Sequence, residues 1–288
     1  MSWEIAVCLL FFFSVVTYVV VRKCNQMGVP TQLINLAMFL VPVLLYILMA
    51  AVQRPEMQMT IWEWAIIIFS SYFCSYLGNV FSLKSIQRAP NPGYSLMISK
   101  SYVVLTTLVS VVLFGAELSI LKFGAIGLIV VCQAVIMLSG SVEVKNPKFH
   151  SSWVLLSIGS FFCWGVLALL SKYLLVLGVT SITRLIYNMS IVSMIIGFDL
   201  YRDRATLPKL QFSAWGWLLM LGLAGAGFNY FAQIGYELAP NIGYVNAVNS
   251  ASIAGVTIIS ALLFKDDLTL KKLLGIFGVI AGLWILLN

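Results

Sequence analysis

Ala89-Pro90-Asn91-Pro92-Gly93-Tyr94 returns 150 residues later as Ala239-Pro240-Asn241-Ile242-Gly243-Tyr244, identical at five of six positions. A fixed offset that holds along a chain marks an internal repeat. Here the same offset pairs Trp3 with Trp153, Phe12 with Phe162, Gly28 with Gly178 and Asn79 with Asn229. It also pairs Leu113-Phe114 with Leu263-Phe264, Leu118 with Leu268 and Lys122 with Lys272. After one inserted residue, Gly124 and Gly127 fall on Gly275 and Gly278. The chain therefore reads as two copies of one unit, residues 1–140 and residues 151–288.

Each copy is too apolar for water. Of 288 residues, 61% are hydrophobic and 9% charged, with a mean hydropathy of +1.01; a soluble domain is about half apolar and a quarter charged. A helix needs about 20 apolar residues to cross a bilayer. Ten segments come close to that length: roughly 3–21, 31–52, 61–83, 92–114, 119–139, 153–172, 181–198, 214–236, 241–264 and 269–287. The first lacks a basic leader and a small-residue cleavage site, so it reads as a span and not as a signal peptide. The predicted fold is an all-α membrane protein of ten transmembrane helices.

Five spans per copy is an odd number. The second copy must then start from the opposite membrane face, which makes the halves an inverted pair about a pseudo-two-fold axis in the membrane plane. Secondary transporters are commonly built this way, with substrate bound near the midplane. Duplication that merely builds a compact bundle is the competing explanation, and the precedent of transporter repeats favours transport over it.

The repeated block leads into an apolar span that ends Phe114-Gly115-Ala116-Glu117-Leu118 in one copy and Phe264-Lys265-Asp266-Asp267-Leu268 in the other, followed by a glycine-spaced span. With two five-span halves, this pattern resembles the drug/metabolite transporter superfamily, in its EamA-like ten-helix branch, over the whole chain. The resemblance implies a carrier of small organic solutes; members move amino acids, other metabolites, drugs, sugars and quaternary amines. It is specific for fold and nearly silent on substrate. Lys265-Asp266-Asp267 departs from the small-residue-then-Glu ending seen at Glu117.

Other chemistries find little support. The five cysteines are scattered without CxxC spacing, and the one histidine, His150, sits in the connection between the copies, so neither a disulfide framework nor a metal site is expected. The net charge of +7 is spread over loop ends, without the interleaved basic and aromatic patch of a nucleic-acid binder. No Walker A sequence exists for an ATP-driven pump, and no nucleophile–base constellation suggests an enzyme. No cofactor is expected. The expected partners are a small-molecule substrate and membrane lipid, with a proton as candidate coupling ion, and the expected state is a monomer or weak homodimer. A membrane-embedded scaffold or subunit without transport activity is the alternative.

Polar groups inside spans are costly and so mark candidate sites. Lys100 lies about eight residues into the fourth span, roughly 12 Å deep at 1.5 Å per residue, where it would attract a carboxylate or phosphate unless it snorkels to the interface. Asn246, Asn249 and Ser250 share a face of the ninth span by their i, i+3, i+4 spacing. Ser75, Tyr76, Asn79 and Ser82 read the same way on the third span, as do Asn229, Tyr230, Gln233, Tyr236 and Glu237 on the eighth. The family resemblance implies that these spans line a central cavity; interhelical hydrogen bonding is the simpler use of such side chains. Trp164, Tyr94 and Tyr244 are the aromatic candidates for stacking or cation–π contact. Arg184 and Glu237 fall at the same membrane face and are expected to pair as a gate, with Glu237 available to a coupling proton. The Pro-Asn-x-Gly segments suit hinges, which would concentrate gate motion at Ala89–Tyr94 and Ala239–Tyr244.

Orientation has two readings. Twelve loop Lys and Arg residues follow odd-numbered spans against four on the other side, which by the positive-inside rule puts both termini outside. The family resemblance implies cytosolic termini. Both place the termini on one side, and the membrane expected is the plasma (inner) membrane.

Overall fold

The computed structural model describes residues 1–89, 92–139, 152–202 and 210–288. Pro90 and Asn91 of the first repeated block lie outside the described residues, as does the 140–151 connection that carries His150.

Among the described residues, ten helices are long and apolar enough to cross a membrane: Trp3–Gln26, Thr31–Gln53, Ile61–Arg88, Gly93–Phe114, Ile120–Leu138, Ser152–Val176, Ser181–Arg202, Phe212–Leu238, Ile242–Phe264 and Leu270–Leu287. The described residues contain no strand. The all-α, ten-span expectation holds. Several helices outrun their apolar segments, because hydropathy tracks the hydrocarbon layer whereas a helix stops where its capping chemistry says so. The first continues through Arg22 and Lys23 to Gln26 and is closed off by Gly28, with φ +72°, where the Val29 N–H donates to the Cys24 carbonyl at 3.1 Å. The sixth runs to Val176 and is closed off by Gly178, φ +96°, with Val179 donating to Leu174 at 3.0 Å. Glycine adopts such left-handed backbone without a Cβ penalty. The two positions are 150 apart.

Other local features recur at that offset. Thr107 Oγ1 donates to the Val103 carbonyl and Thr257 Oγ1 to the Ile253 carbonyl, each at 2.8 Å. Ser119 and Thr269 cap the fifth and tenth spans by accepting from the backbone of Lys122 and Lys272. Gly115 and Lys265 end the fourth and ninth spans in the same left-handed conformation.

The chain packs as two compact units, and these interleave the copies. One unit comprises residues 1–72 and 171–237, the other residues 73–170 and 238–288. In the first unit the second span packs on the seventh, its counterpart in the other copy. Val43 and Tyr46 meet Ile182, Leu185, Ile186 and Met189 there, and the Tyr46 hydroxyl donates to the Ala226 carbonyl of the eighth span at 2.6 Å. Thr183 and Tyr187 donate to the Glu56 and Met57 carbonyls and so hold the connection into the third span.

In the second unit the tenth span packs on the fifth and the ninth on the fourth and fifth, again pairing counterparts. Gly275 and Gly278 lie so close to Cys132 and Ile136 that an added Cβ would collide, the close approach that small residues permit between membrane helices.

The third span carries a π-helical segment, Ser70–Tyr76. Its wider turn rephases the helix, so the 3.6-residue wheel that groups Ser75 and Tyr76 with Asn79 and Ser82 crosses an irregular stretch. Such insertions are often found at functional sites.

Candidate functional site

In the first unit, polar chemistry gathers where the eighth span ends and the seventh begins. Lys172, near the end of the sixth span, donates through Nζ to the carbonyls of Tyr236 and Glu237 at 2.7 and 3.3 Å. Those carbonyls belong to a helix C-terminus, where a cation is favoured. The Glu237 carboxylate accepts from Ser181 Oγ at 3.0 Å. Arg184, one turn after Ser181, does not pair with it. Arg184 is 4% exposed, and its Nε has no hydrogen-bond partner among the described residues. The expected Arg184–Glu237 ion pair is not formed among the described residues, and the carboxylate is met by Ser181 instead. Gln233, one turn before Glu237, is 3% exposed with Oε1 unpartnered among the described residues. Asn229 spends its amide on the Gly225 carbonyl of its own helix at 2.8 Å.

Two hollows lie in this unit. One, of about 400 Å³, is lined by Thr180, Ser181, Ile182, Tyr230, Ile234 and Glu237, with the end of the second span. The other, of about 550 Å³, is apolar and runs past Phe13, Tyr46, Met49, Gly227 and Tyr230. The eighth span borders both.

In the second unit the Ala239–Tyr244 block is a fastened corner. Asn241 caps the ninth span: its Oδ1 accepts from the Gly243 N–H at 2.8 Å, while its Nδ2 donates to the carbonyls of Thr107 and Glu117, each at 3.3 Å. The Tyr244 hydroxyl donates to the same Glu117 carbonyl at 2.9 Å, and the Lys122 ammonium lies 5.5 Å from its ring centroid. Gly243 is helical. Its value is space, since a Cβ there would run into Thr107. One turn on, Asn246 donates to Thr106 Oγ1 at 3.0 Å. Asn249 and Ser250 are buried, and Ser250 Oγ has no partner among the described residues.

The remaining candidates in this unit are differently placed. Tyr94 is 42% exposed and stacks on Trp153, with centroids 6.4 Å apart. Asn79 is half-buried on the third span. Gly78 beside it lets Cys163 and Trp164 of the sixth span approach closely. Lys100 is half-buried and closes the helical segment Pro92–Lys100, just before a one-residue interruption at Ser101. In the same unit, Ser85, Ser95 and Ser157 link three spans by hydroxyl contacts of 2.5 and 3.2 Å.

Sequence reasoning misses three working residues. Asn241 stands inside the repeated block, whose Pro-Asn-Ile-Gly pattern points to a hinge and not to a clamp. Asn188, which donates to Ser71 Oγ at 2.9 Å, lies one turn beyond Arg184, and that spacing is its available signal. Lys172 gives none.

Comparison with known proteins bears on the whole arrangement. The family model described as the EamA-like transporter family matches residues 1–139 and 151–288. An uncharacterized transporter of Archaeoglobus fulgidus is 26% identical over 227 residues, covering 77% of this chain and 75% of the relative. A crystal structure of a protein 14% identical in sequence superposes with a TM-score of 0.78 over 97% of both chains, a likeness of fold.

Proposed function

This chain belongs to the EamA-like transporter family, an integral, multi-pass membrane transporter, and from that premise we propose that it is a secondary carrier of a small organic metabolite, anionic or amino-acid-like, working by alternating access in the plasma (inner) membrane. The observation that carries this reading is the repeat of five spans at an offset of 150. An odd number of spans per copy reverses the second copy across the membrane, and two reversed copies can exchange conformations to open either face in turn. The pairing of counterpart spans within each unit, second with seventh and fifth with tenth, supports a two-fold relation between the copies. No catalytic step is part of this reading.

Within the proposed substrate set, hydrogen-bond accounting ranks the members. Asn229, Asn246 and Tyr244 have spent polar groups on the protein itself. Gln233 and Ser250 are buried with polar atoms unspent, and such groups are expensive unless a ligand or water completes them. They rank first, ahead of Lys100, Asn79, Asn249, Trp164 and Tyr94.

The test is flux. Purified protein in liposomes should accumulate or release at least one member of a panel of radiolabelled amino acids, organic acids and amines faster than protein-free liposomes, and a pH gradient should alter that rate if protons are coupled. Absence of flux for the entire panel, from protein that is folded, would favour the scaffold alternative.

A further inference from the structure

Arg184 is a buried cation in a membrane span with a donor unspent. It is 4% exposed, Nε has no hydrogen-bond partner among the described residues, and no carboxylate pairs with it there. An ionised side chain in such surroundings costs several kcal/mol unless a counter-charge is present. Its place in the helix adds to the cost. Arg184 is the fourth residue of the Ser181–Arg202 helix, where the unpaired N–H groups of the first turn carry positive partial charge.

Among the described residues, no neighbour supplies the missing anion. The group electrostatically coupled to Arg184 is the phenol of Tyr236, which is neutral at ordinary pH. The Glu237 carboxylate accepts from Ser181 and is coupled to Lys172, not to Arg184. Glu56 reaches the seventh span through its backbone carbonyl and is itself exposed. Ser181 and Glu237 both line the hollow of about 400 Å³, which brings an open path within one helical turn of Arg184. Gln233, three residues before Tyr236 and so on the same side of that helix, adds a second buried group awaiting a partner.

We propose that Arg184 binds an oxyanion, a carboxylate or phosphate, as the charged anchor of the transported molecule. A guanidinium fits either group with two parallel N–H donors. Gln233 would accept from a hydroxyl or ammonium on the same molecule. The proposal rests on the carrier reading and assigns to Arg184 the anion that the sequence assigned to Lys100.

The experiment uses the full chain in phosphatidylcholine nanodiscs and reads thermal unfolding with succinate, inorganic phosphate, L-alanine or ethylenediamine added at matched ionic strength. Succinate, phosphate or alanine should raise the melting temperature of the unmodified protein, and ethylenediamine should not. Arg184→Gln should raise the half-saturating concentration roughly tenfold or more, as loss of a charge-assisted hydrogen bond does, and Arg184→Lys should keep part of the response. Without ligand, Arg184→Met should melt no lower than the unmodified protein, since it removes a buried charge that lacks a partner. A marked drop would make Arg184 a structural residue and overturn the proposal. An equal response in Arg184→Gln would also overturn it. A shift seen only when phosphatidylglycerol is included would transfer the oxyanion to lipid and overturn the solute assignment. Flux of any solute that survives Arg184→Gln would sink this site and leave the carrier reading standing.

Discussion

Tyr94 and Tyr244 occupy the same position of the same repeated block, yet one is 42% exposed and the other 1%. Tyr244 is hydrogen-bonded to the Glu117 carbonyl beside the Asn241 clamp, whereas Tyr94 stacks loosely on Trp153. The Asp267 carbonyl, which by the repeat corresponds to that of Glu117, accepts from Lys272 at 2.8 Å. Features that match between the copies, such as the Gly28 and Gly178 helix ends or the Thr107 and Thr257 back-bonds, are local and follow from local sequence. The tyrosines differ through tertiary contact. The alternating-access proposal requires unlike copies at any instant, because like copies would leave both faces open or both shut.

The docked block is where the comparison breaks most readily. Gly243→Ala would put a Cβ against the Thr107 backbone and side chain. Overpacking of this kind costs about 1–3 kcal/mol, and backbone on the receiving side places it near the upper end. The variant should show a larger fall in melting temperature than loss of the Asn241 or Tyr244 side-chain contacts. A stability equal to that of the unmodified protein would mean that the corner is not packed as described.

Asn241→Ala comes next. It removes the donor to Thr107 and Glu117 and the acceptor for Gly243, leaving buried backbone groups unsatisfied. The cost of such groups is about 1–3 kcal/mol in all. If the segment were a free hinge, as its Pro-Asn-Ile-Gly sequence suggests, the substitution would have little effect on stability. Melting curves therefore separate a clamp from a hinge.

The tyrosines themselves sharpen the contrast. Tyr244→Phe should destabilise by about 1 kcal/mol through loss of one buried hydrogen bond. Tyr94→Phe should stay within about 0.5 kcal/mol, as surface changes generally do. Equal effects would show that the two blocks are equivalently docked in the membrane.

What is legible in the sequence follows from where each constraint acts. The bilayer acts on single residues, so ten apolar segments can be read directly, and duplication leaves its offset in plain view. Helix ends are less legible, because Arg22 and Lys23 lower the hydropathy without stopping the helix. The π segment at Ser70–Tyr76 has no residue pattern that announces it. Topology puts Arg184 and Glu237 at one membrane face but carries no information about contact, and it is Ser181 that meets the carboxylate. Asn241 reads as a hinge residue because its partners, Thr107 and Glu117, lie in the other copy. The interleaved units are invisible for the same reason: pairing between copies is a tertiary fact.

A further modest effect is expected where the copies agree in shape and disagree in residue. Gly115 ends the fourth span at φ +62°, ψ +28°, and Lys265 ends the ninth at φ +59°, ψ +36°. Glycine adopts this left-handed conformation freely, whereas a residue with a Cβ meets about 1–2 kcal/mol of steric cost. Lys265→Gly should relieve that cost but admit more freedom to the unfolded chain, a loss of about 0.5–1 kcal/mol. The net gain should lie between zero and about 1.5 kcal/mol, a rise of at most roughly 3 °C in melting temperature for a chain of this size. Gly115→Lys should lower stability by a similar amount, because the same balance runs in reverse. Lysine at 265 also contributes to the basic side of the protein, so its retention despite the strain fits a role in orientation. If Lys265→Gly leaves stability unchanged and inverts a fraction of the molecules in a topology assay, charge explains the residue and strain there is negligible. If stability rises and topology holds, the departure from glycine is a local cost that the second copy tolerates.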